Sequence, residues 1–265
     1  MTALAGMAAL VTGGGSGIGL ACARFFVRDG AAVTIAGRSE DRLKVGVASL
    51  LDGAPDGAVV RSAVCDVASE DDVRGAVDVA LDAGGGSLHI AVAAAGTGSG
   101  GPLLMTDLAV WRSVFATNLD GAFLTVKHAG GAIAKSGGGA IVAISSIAAP
   151  LTHRLMAPYS VSKAALEALV RNAADELGSA GVRVNAVRPG LVPTDLASGL
   201  TASEAIVDDY LDQMPLRRLG TVDDVAAGVR YLCGPESSWV TGQCLGIDGG
   251  HTLRRGPDLT VAMRR

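Results

Sequence analysis

Six short runs punctuate the chain, each apolar at nearly every position rather than at alternate ones. They are "AALV" (8–11), "AAVTIA" (31–36), "VVRSAVC" (59–65), "LHIAVAAA" (88–95), "AIVAIS" (140–145) and "VRVNAV" (182–187), and a further strand is predicted around 244–248. A strand with one wet face alternates, whereas a strand that is apolar throughout has to be covered on both faces, as in a parallel sheet between helices. Helix-period segments lie between the runs, predicted over 17–29, 40–51, 69–82, 107–135, 158–179 and 222–233. They supply the right-handed crossovers that parallel neighbours require. The alternation predicts an α/β fold: a doubly wound, mostly parallel sheet with helices on both faces, in a single domain spanning 1–265.

Signals at the element ends agree with this. "SEDRL" (39–43) and "SEDDV" (69–73) each place a serine at an N-cap and acids in the first helical turn. "GGGS" (84–87) and "GGG" (137–139) fall where a helix gives way to a strand, and so predict turns. The stretch 194–221 breaks the rhythm, being long and mixed in polarity, which is the profile of a functional lid or a mobile loop.

Almost half of the residues are hydrophobic but only 3 % are aromatic, so the core has to be built from Ala, Val, Leu and Ile. A net charge of −4 argues against a nucleic-acid partner held by phosphate contacts. The pairs Arg217-Arg218 and Arg254-Arg255 are short, and are predicted to be solvated or salt-bridged surface. Cys22, Cys65, Cys233 and Cys244 lie far apart without metal-ligand spacing, as expected of buried thiols in a reducing compartment and of a protein without a metal. The opening "MTALAGMAALVTGGG" has no basic n-region, and no run of about 18 apolar residues follows. The expectation is a soluble, cytoplasmic protein with neither a nucleic-acid nor a membrane partner.

"VTGGGSGIGL" (11–20) follows the first strand and opens the first helix. Glycines there let the backbone turn sharply and approach a pyrophosphate, which the helix N-terminus favours. The spacing is TGxxxGxG, through Gly13, Gly17 and Gly19, and its place between strand and helix points to a dinucleotide site. An acid that would hold a ribose 2′-hydroxyl is missing after the second strand, where the chain reads Gly37-Arg38-Ser39. Arg38 can meet a 2′-phosphate with forked hydrogen bonds, which favours NADP(H), with NAD(H) as the alternative. Glu40 and Asp41 are helix caps first, and Asp66 after the third strand is a candidate for the adenine edge.

"YSVSK" (159–163) puts Tyr159 and Lys163 on one face of a helix at i and i+4. A general acid/base phenol needs its pKa lowered from about 10, and an ammonium beside it together with a positive nicotinamide ring would do so. Ser145 and Ser146 end the fifth strand, at the edge where doubly wound sheets bind ligands, and a hydroxyl there can hold a substrate carbonyl.

With these residues in view, the chain resembles the short-chain dehydrogenase/reductases of single-domain Rossmann type, 3-oxoacyl reductase-like members among them. The resemblance runs through nearly the whole length: "TGGGSGIG" (12–19), "CDV" (65–67), "AAAG" (93–96), "TNL" (117–119), "ISS" (144–146), "YSVSK", "VNAVRPG" (184–190) and "GQCLGIDGG" (242–250). It implies a catalytic tetrad of Asn118, Ser146, Tyr159 and Lys163, with Ser146 preferred to Ser145 because it lies thirteen positions before the tyrosine. Asn118 would bend a helix and hold a water in a proton relay. The implied cofactor contacts are Gly13, Ser16, Gly17, Ile18, Gly19, Arg38, Ser39, Asp66, Val67, Ala95, Gly96, Pro189 and Gly190. Val192 would meet the nicotinamide by backbone, Thr194 by side chain, and Lys163 the ribose hydroxyls. The chain departs from the family's "NNAG" at Ala93-Ala94-Ala95-Gly96, where a small structural adjustment with retained activity is expected.

The activity implied is interconversion of a ketone and a secondary alcohol with NADP(H). An NAD-dependent alcohol dehydrogenase, a cofactor-sensing protein without catalysis, and a methyltransferase are the competing readings. Enoyl reductases space the tyrosine and lysine more widely. The substrate is expected between Thr97–Gly101, Leu151–Met156 and 194–215, against Leu151, Leu155, Met156, Leu196, Leu200 and Met214, with His153 read as surface. Fatty-acid ketoreductases tend to carry a basic residue where this chain has Ala180. The resemblance also implies a homotetramer, or a homodimer, whose tail "HTLRRGPDLTVAMRR" (251–265) either folds over a neighbour or frays.

Overall fold

Seven strands form one parallel sheet in the order β3-β2-β1-β4-β5-β6-β7 in a computed structural model, which describes residues 3–253. The first half alternates strictly: β1 (Ala8–Thr12), α1 (Gly17–Arg28), β2 (Ala32–Gly37), α2 (Glu40–Leu51), β3 (Val60–Val64), α3 (Glu70–Ala83) and β4 (Ile90–Ala93). Next come α4 (Leu108–Phe115), a π-helical turn (Ala116–Asp120), α5 (Gly121–Lys135), β5 (Gly139–Ile144), α6 (Ala157–Leu177) and β6 (Val182–Pro189). Two short helices, α7 (Ser198–Thr201) and α8 (Glu204–Gln213), precede α9 (Val222–Cys233) and β7 (Cys244–Ile247).

Alternation along the strands fills two cores. In β1, Ala8 and Leu10 join α3, α5 and α6 on one face, while Ala9 and Val11 join α1, α2 and α9 on the other. β4 and β5 divide in the same way, Ala91 and Ile141 against Val92 and Val142. Burial on both faces explains the unbroken apolar runs. It fails at the sheet edges. β3 exposes Arg61, Ser62 and Val64, and β7 exposes Leu245 and Gly246, because an edge strand has a neighbour on one side only. At Ala93 the strand remains paired with both Thr12 and Ala143, so the departure at 93–96 leaves the ladder intact.

Ser39 and Ser69 accept from the backbone N–H groups of Arg42 and Asp72, as their N-cap positions require. Gly85, Gly86, Gly137 and Gly138 take positive φ at the predicted turns. The single helix expected over 107–135 is divided, since the π turn lets an asparagine side chain face inward. Arg217 and Arg218 pair with Asp212 and Asp224 at the surface, while Arg254-Arg255 and the tail beyond lie outside the described residues. The four cysteines are free thiols; burial pushes Cys65 up to about 11 and Cys233 to about 12. Among the described residues no helix is long and apolar enough to cross a membrane, and no cluster of His, Cys, Asp and Glu could hold a metal.

α6 is locked to the sheet by an ion pair. Glu167, with 6 % of its side chain exposed, takes both Arg188 Nε and Nη2 at 2.6 Å, and its Oε1 also accepts from Ser145 Oγ at 2.9 Å. Removing one member strands a buried charge. Arg188→Leu should therefore lower unfolding stability by about 3 kcal/mol in urea titrations, and Glu167→Leu/Arg188→Leu should recover much of that loss. A single variant as stable as wild type would show that the pair does not lock the helix.

Candidate active site

The strand order reverses direction between β1 and β4, and the crevice at that switch point is where a doubly wound sheet takes ligands. A cavity of about 450 Å³ opens there. Its floor is the glycine turn, from which Gly13, Ser16, Gly17, Ile18 and Gly19 line the space. The turn is tight: a Cβ on Gly13 (φ +67°) would lie 2.6 Å from the Ala95 nitrogen, and one on Gly19 would overlap the Gly13 carbonyl. Ser16 stands at the N-cap of α1 but its side chain makes no capping hydrogen bond, so no side chain caps the first N–H groups of a helix whose opening residues line the cavity. Ala95 and Gly96 continue the wall from the end of β4, and Pro189, Gly190, Val192 and Thr194 close it beyond β6. Thr194 rests on the glycine turn, 3.4 Å from where a Gly17 Cβ would be.

Ser146, Tyr159 and Lys163 meet on the far side of this space. The two serines at the end of β5 turn to different partners. Ser145 donates to Glu167, while Ser146 lies beside the Tyr159 phenol and accepts from the Ala148 N–H at 3.1 Å. Lys163 is 4 % exposed, its Nζ donating to the Ile144 carbonyl at 2.7 Å and lying 5.7 Å from the centroid of the Tyr159 ring. Burial lowers its pKa to about 8. Protein groups alone raise the Tyr159 pKa, because loss of solvation outweighs the hydrogen bond from Ser146, and the lowering expected from the sequence counts a nicotinamide ring besides Lys163. At neutral pH the arrangement is thus a neutral phenol beside a charged ammonium.

Asn118 lies behind the cavity, 1 % exposed, on the π turn. Its Nδ2 donates to the Thr97 carbonyl at 2.9 Å and to Ser162 Oγ at 3.0 Å, and its Oδ1 accepts from the Thr97 N–H at 2.8 Å. Gly96 separates it from Lys163: a Cβ there would be 3.5 Å from Asn118 Oδ1 and 3.6 Å from Lys163 Nζ. Arg38, Ser39, Asp66 and Val67 do not line the cavity. They follow β2 and β3 along the same sheet edge, with Arg38 exposed, Ser39 capping α2, Asp66 accepting from the Ala68 N–H, and Val67 buried against Gly121.

The substrate wall differs in part from expectation. Gly98–Gly100, Met156, Leu196 and Leu200 line the cavity, but Leu151, Leu155 and Met214 do not. Leu155 projects into solvent from a left-handed backbone position, and Met214 is buried beside Gly249. His153, read as surface, is half-buried and lines the cavity, as does Tyr210 on α8, which the sequence reading missed. Tyr210 is one of only three tyrosines, and that scarcity was the available signal. Its place depends on how a short amphipathic helix folds back over the site, which no local pattern reveals.

Comparison with known proteins decides the family. A family profile described as enoyl-(acyl carrier protein) reductase matches residues 13–252. A short-chain type dehydrogenase/reductase from Mycobacterium ulcerans superposes with a TM-score of 0.92 at 42 % identity, over 98 % of this chain and 95 % of that one. The chain belongs to the short-chain dehydrogenase/reductase family. It is an oxidoreductase of the CH–OH/C=O couple, and its cofactor is a nicotinamide dinucleotide. The cis-4-hydroxycyclohexanecarboxylate dehydrogenase of Sinomonas cyclohexanicum is 38 % identical over 251 residues, 94 % of this chain and 98 % of the relative. The gluconate 5-dehydrogenase of Burkholderia cenocepacia J2315, solved with NADP and tartrate, has a TM-score of 0.88 at 32 % identity, over 94 % and 96 % of the chains.

Proposed function

We propose that this dehydrogenase/reductase is NADP(H)-dependent and interconverts a ketone and a secondary alcohol, with Tyr159 as general acid/base. The observation that carries the reading is the convergence of Ser146, Tyr159 and Lys163 on one cavity whose floor is an uncapped helix N-terminus. A phenol and an ammonium spaced i, i+4, with a serine hydroxyl opposite, suit a carbonyl oxygen better than a carbon–carbon double bond.

The residues present fit the cofactor. The glycine turn and the N–H groups of α1 would hold its pyrophosphate. Lys163 would hold the ribose hydroxyls, and the 189–194 segment the nicotinamide. When bound, the cofactor supplies or accepts the hydride. Ser146 holds the substrate oxygen in place, and Tyr159, neutral at pH 7, gives it a proton as the carbonyl is reduced. Lys163 favours the phenolate that results, and Asn118 fixes the Gly96–Thr97 backbone beside Lys163 and ties it to α6 through Ser162. In the oxidative direction the same groups take the proton back. The 194–221 segment acts as the substrate lid, supported by Leu196, Leu200 and Tyr210 in the wall.

The preference for NADP(H) rests on exposed Arg38 at the end of β2, with no carboxylate at 37–39; a solved relative that binds NADP supports it. Assembly as a homotetramer is supported by two exposed apolar features, Leu103–Met105 with Leu104 99 % exposed, and Trp239 at 98 % in the segment leading into edge strand β7.

In fluorescence titrations NADPH should bind at least about tenfold tighter than NADH, and Arg38→Asp should abolish the difference. Equal affinities would remove the assigned preference, tighter binding of NADH would reassign the enzyme to NAD(H), and absence of binding by both would remove the dehydrogenase reading. Sedimentation velocity should return a tetramer or dimer, whereas a monomer at micromolar concentration would leave those faces without the partner assigned here.

A further inference from the structure

The mechanism uses one end of the cavity and leaves a second set of polar groups without a task. Tyr210 stands in the wall contributed by α8, its ring centroid 6.1 Å from the His153 imidazole at a tilt of 39° and 5.2 Å from His251 at 54°. Two imidazoles, one from the turn before α6 and one from the turn after β7, thus fix the orientation of one phenol ring. Tyr210 is half-buried in this wall. Burial raises its pKa, with smaller contributions from Tyr159 and Asp209, so it is a donor across the neutral range.

His153 offers the complementary group. Its Nδ1 lies 3.3 Å from the Leu151 carbonyl. A carbonyl only accepts, so Nδ1 carries a proton in this contact, and in the tautomer the contact selects Nε2 is the lone-pair acceptor. An acceptor and a phenol side by side match a hydroxyl, which donates to one and accepts from the other. An anion fits poorly. The one Lys or Arg among the lining residues is Lys163, buried and already donating to the Ile144 carbonyl, and the one carboxylate there, Asp195, is paired with Arg42 at 2.9 Å. The rest of this wall is small or apolar: Gly98, Gly100, Met156, Leu196 and Leu200.

We propose that His153 and Tyr210 form a second oxygen-recognition point, and that the substrate is an uncharged hydroxyketone or the corresponding diol rather than a simple ketone, an acyl thioester or a phosphorylated compound. The inference rests on the carbonyl-reductase reading above and adds a substrate class to it. A site that hydrogen-bonds a substrate hydroxyl discriminates against the analogue lacking it, because its own polar groups are then left unpaired.

The test compares matched pairs: 4-hydroxycyclohexanone with cyclohexanone for a ring, and 4-hydroxy-2-butanone with butanone for an open chain. Wild type, Tyr210→Phe and His153→Leu are each assayed with the preferred reduced cofactor. In at least one pair the wild type should favour the hydroxylated partner by about tenfold or more in kcat/KM, and both variants should bring that ratio close to one. The pair that shows the preference tells ring from chain. A merely structural role for Tyr210 would lower both members of a pair together and leave the ratio unchanged, which overturns the inference. Equal efficiency towards bare and hydroxylated ketones in the wild type overturns it while leaving carbonyl reduction standing. Failure to reduce any of the four, with the cofactor bound, overturns both.

Discussion

The anchoring of the inner stripe of α6 to the ends of β5 and β6 sets the geometry of the whole site. Tyr159, Lys163 and Glu167 follow one another at intervals of four residues and so share a helix face. Lys163 is tied to the Ile144 carbonyl, and Glu167 to Ser145 and Arg188. Three contacts on two strands leave the helix one register and one rotation, and Tyr159 is thereby carried to Ser146. The ties have a cost. Burying the ammonium lowers its pKa to about 8, and burying the phenol raises its own, so in the protein alone the lysine loses its charge before the tyrosine ionises. The pair is therefore set as a proton donor at neutral pH.

The other half of the site depends on the switch point of the sheet. β1 and β4 lie side by side, and the chain leaves β1 through a turn so close to Ala94 and Ala95 that a side chain at Gly13 has no room. That turn delivers an uncapped helix end to the same cavity that α6 reaches from the opposite side. Neither half makes the cavity alone: one brings a helix N-terminus to it, the other the side chains of Ser146, Tyr159 and Lys163. Their meeting follows from parallel strands whose carboxyl ends all lie on one edge.

What could be read from the sequence follows the range of the interactions concerned. Strands buried on both faces write their burial into every residue, so β1, β4 and β5 were legible; β3 and β7 were also placed as strands, and only the double burial expected of β3 fails, because an edge strand can be apolar for other reasons. Ser39 and Ser69 announce helix starts through hydrogen bonds three residues long, and Tyr159 with Lys163 declares a shared face over four. The break in the helix over 107–135 is a matter of backbone hydrogen bonding around Asn118; composition carries no trace of it, and only the resemblance implied a bend there. Ser146 and Ser145 could be told apart from sequence only by resemblance; in the structure the strand's alternation separates them, sending Ser145 to Glu167. His153 and Tyr210 lie 57 positions apart. Only the folding of α8 over the cavity brings them together.

The measurement that bears most directly on this account is an ultraviolet-difference titration of Tyr159, feasible because the chain has three tyrosines and a Tyr159→Phe variant isolates the signal. In the free protein the phenol should ionise above its ordinary value of about 10, since burial dominates. With the oxidised cofactor bound it should fall below that value, and in Lys163→Met the fall should be largely lost. A phenol already ionising below about 10 in the free protein, or one unmoved by the cofactor, would contradict the claim that α6 presents Tyr159 and Lys163 as one proton-transferring unit.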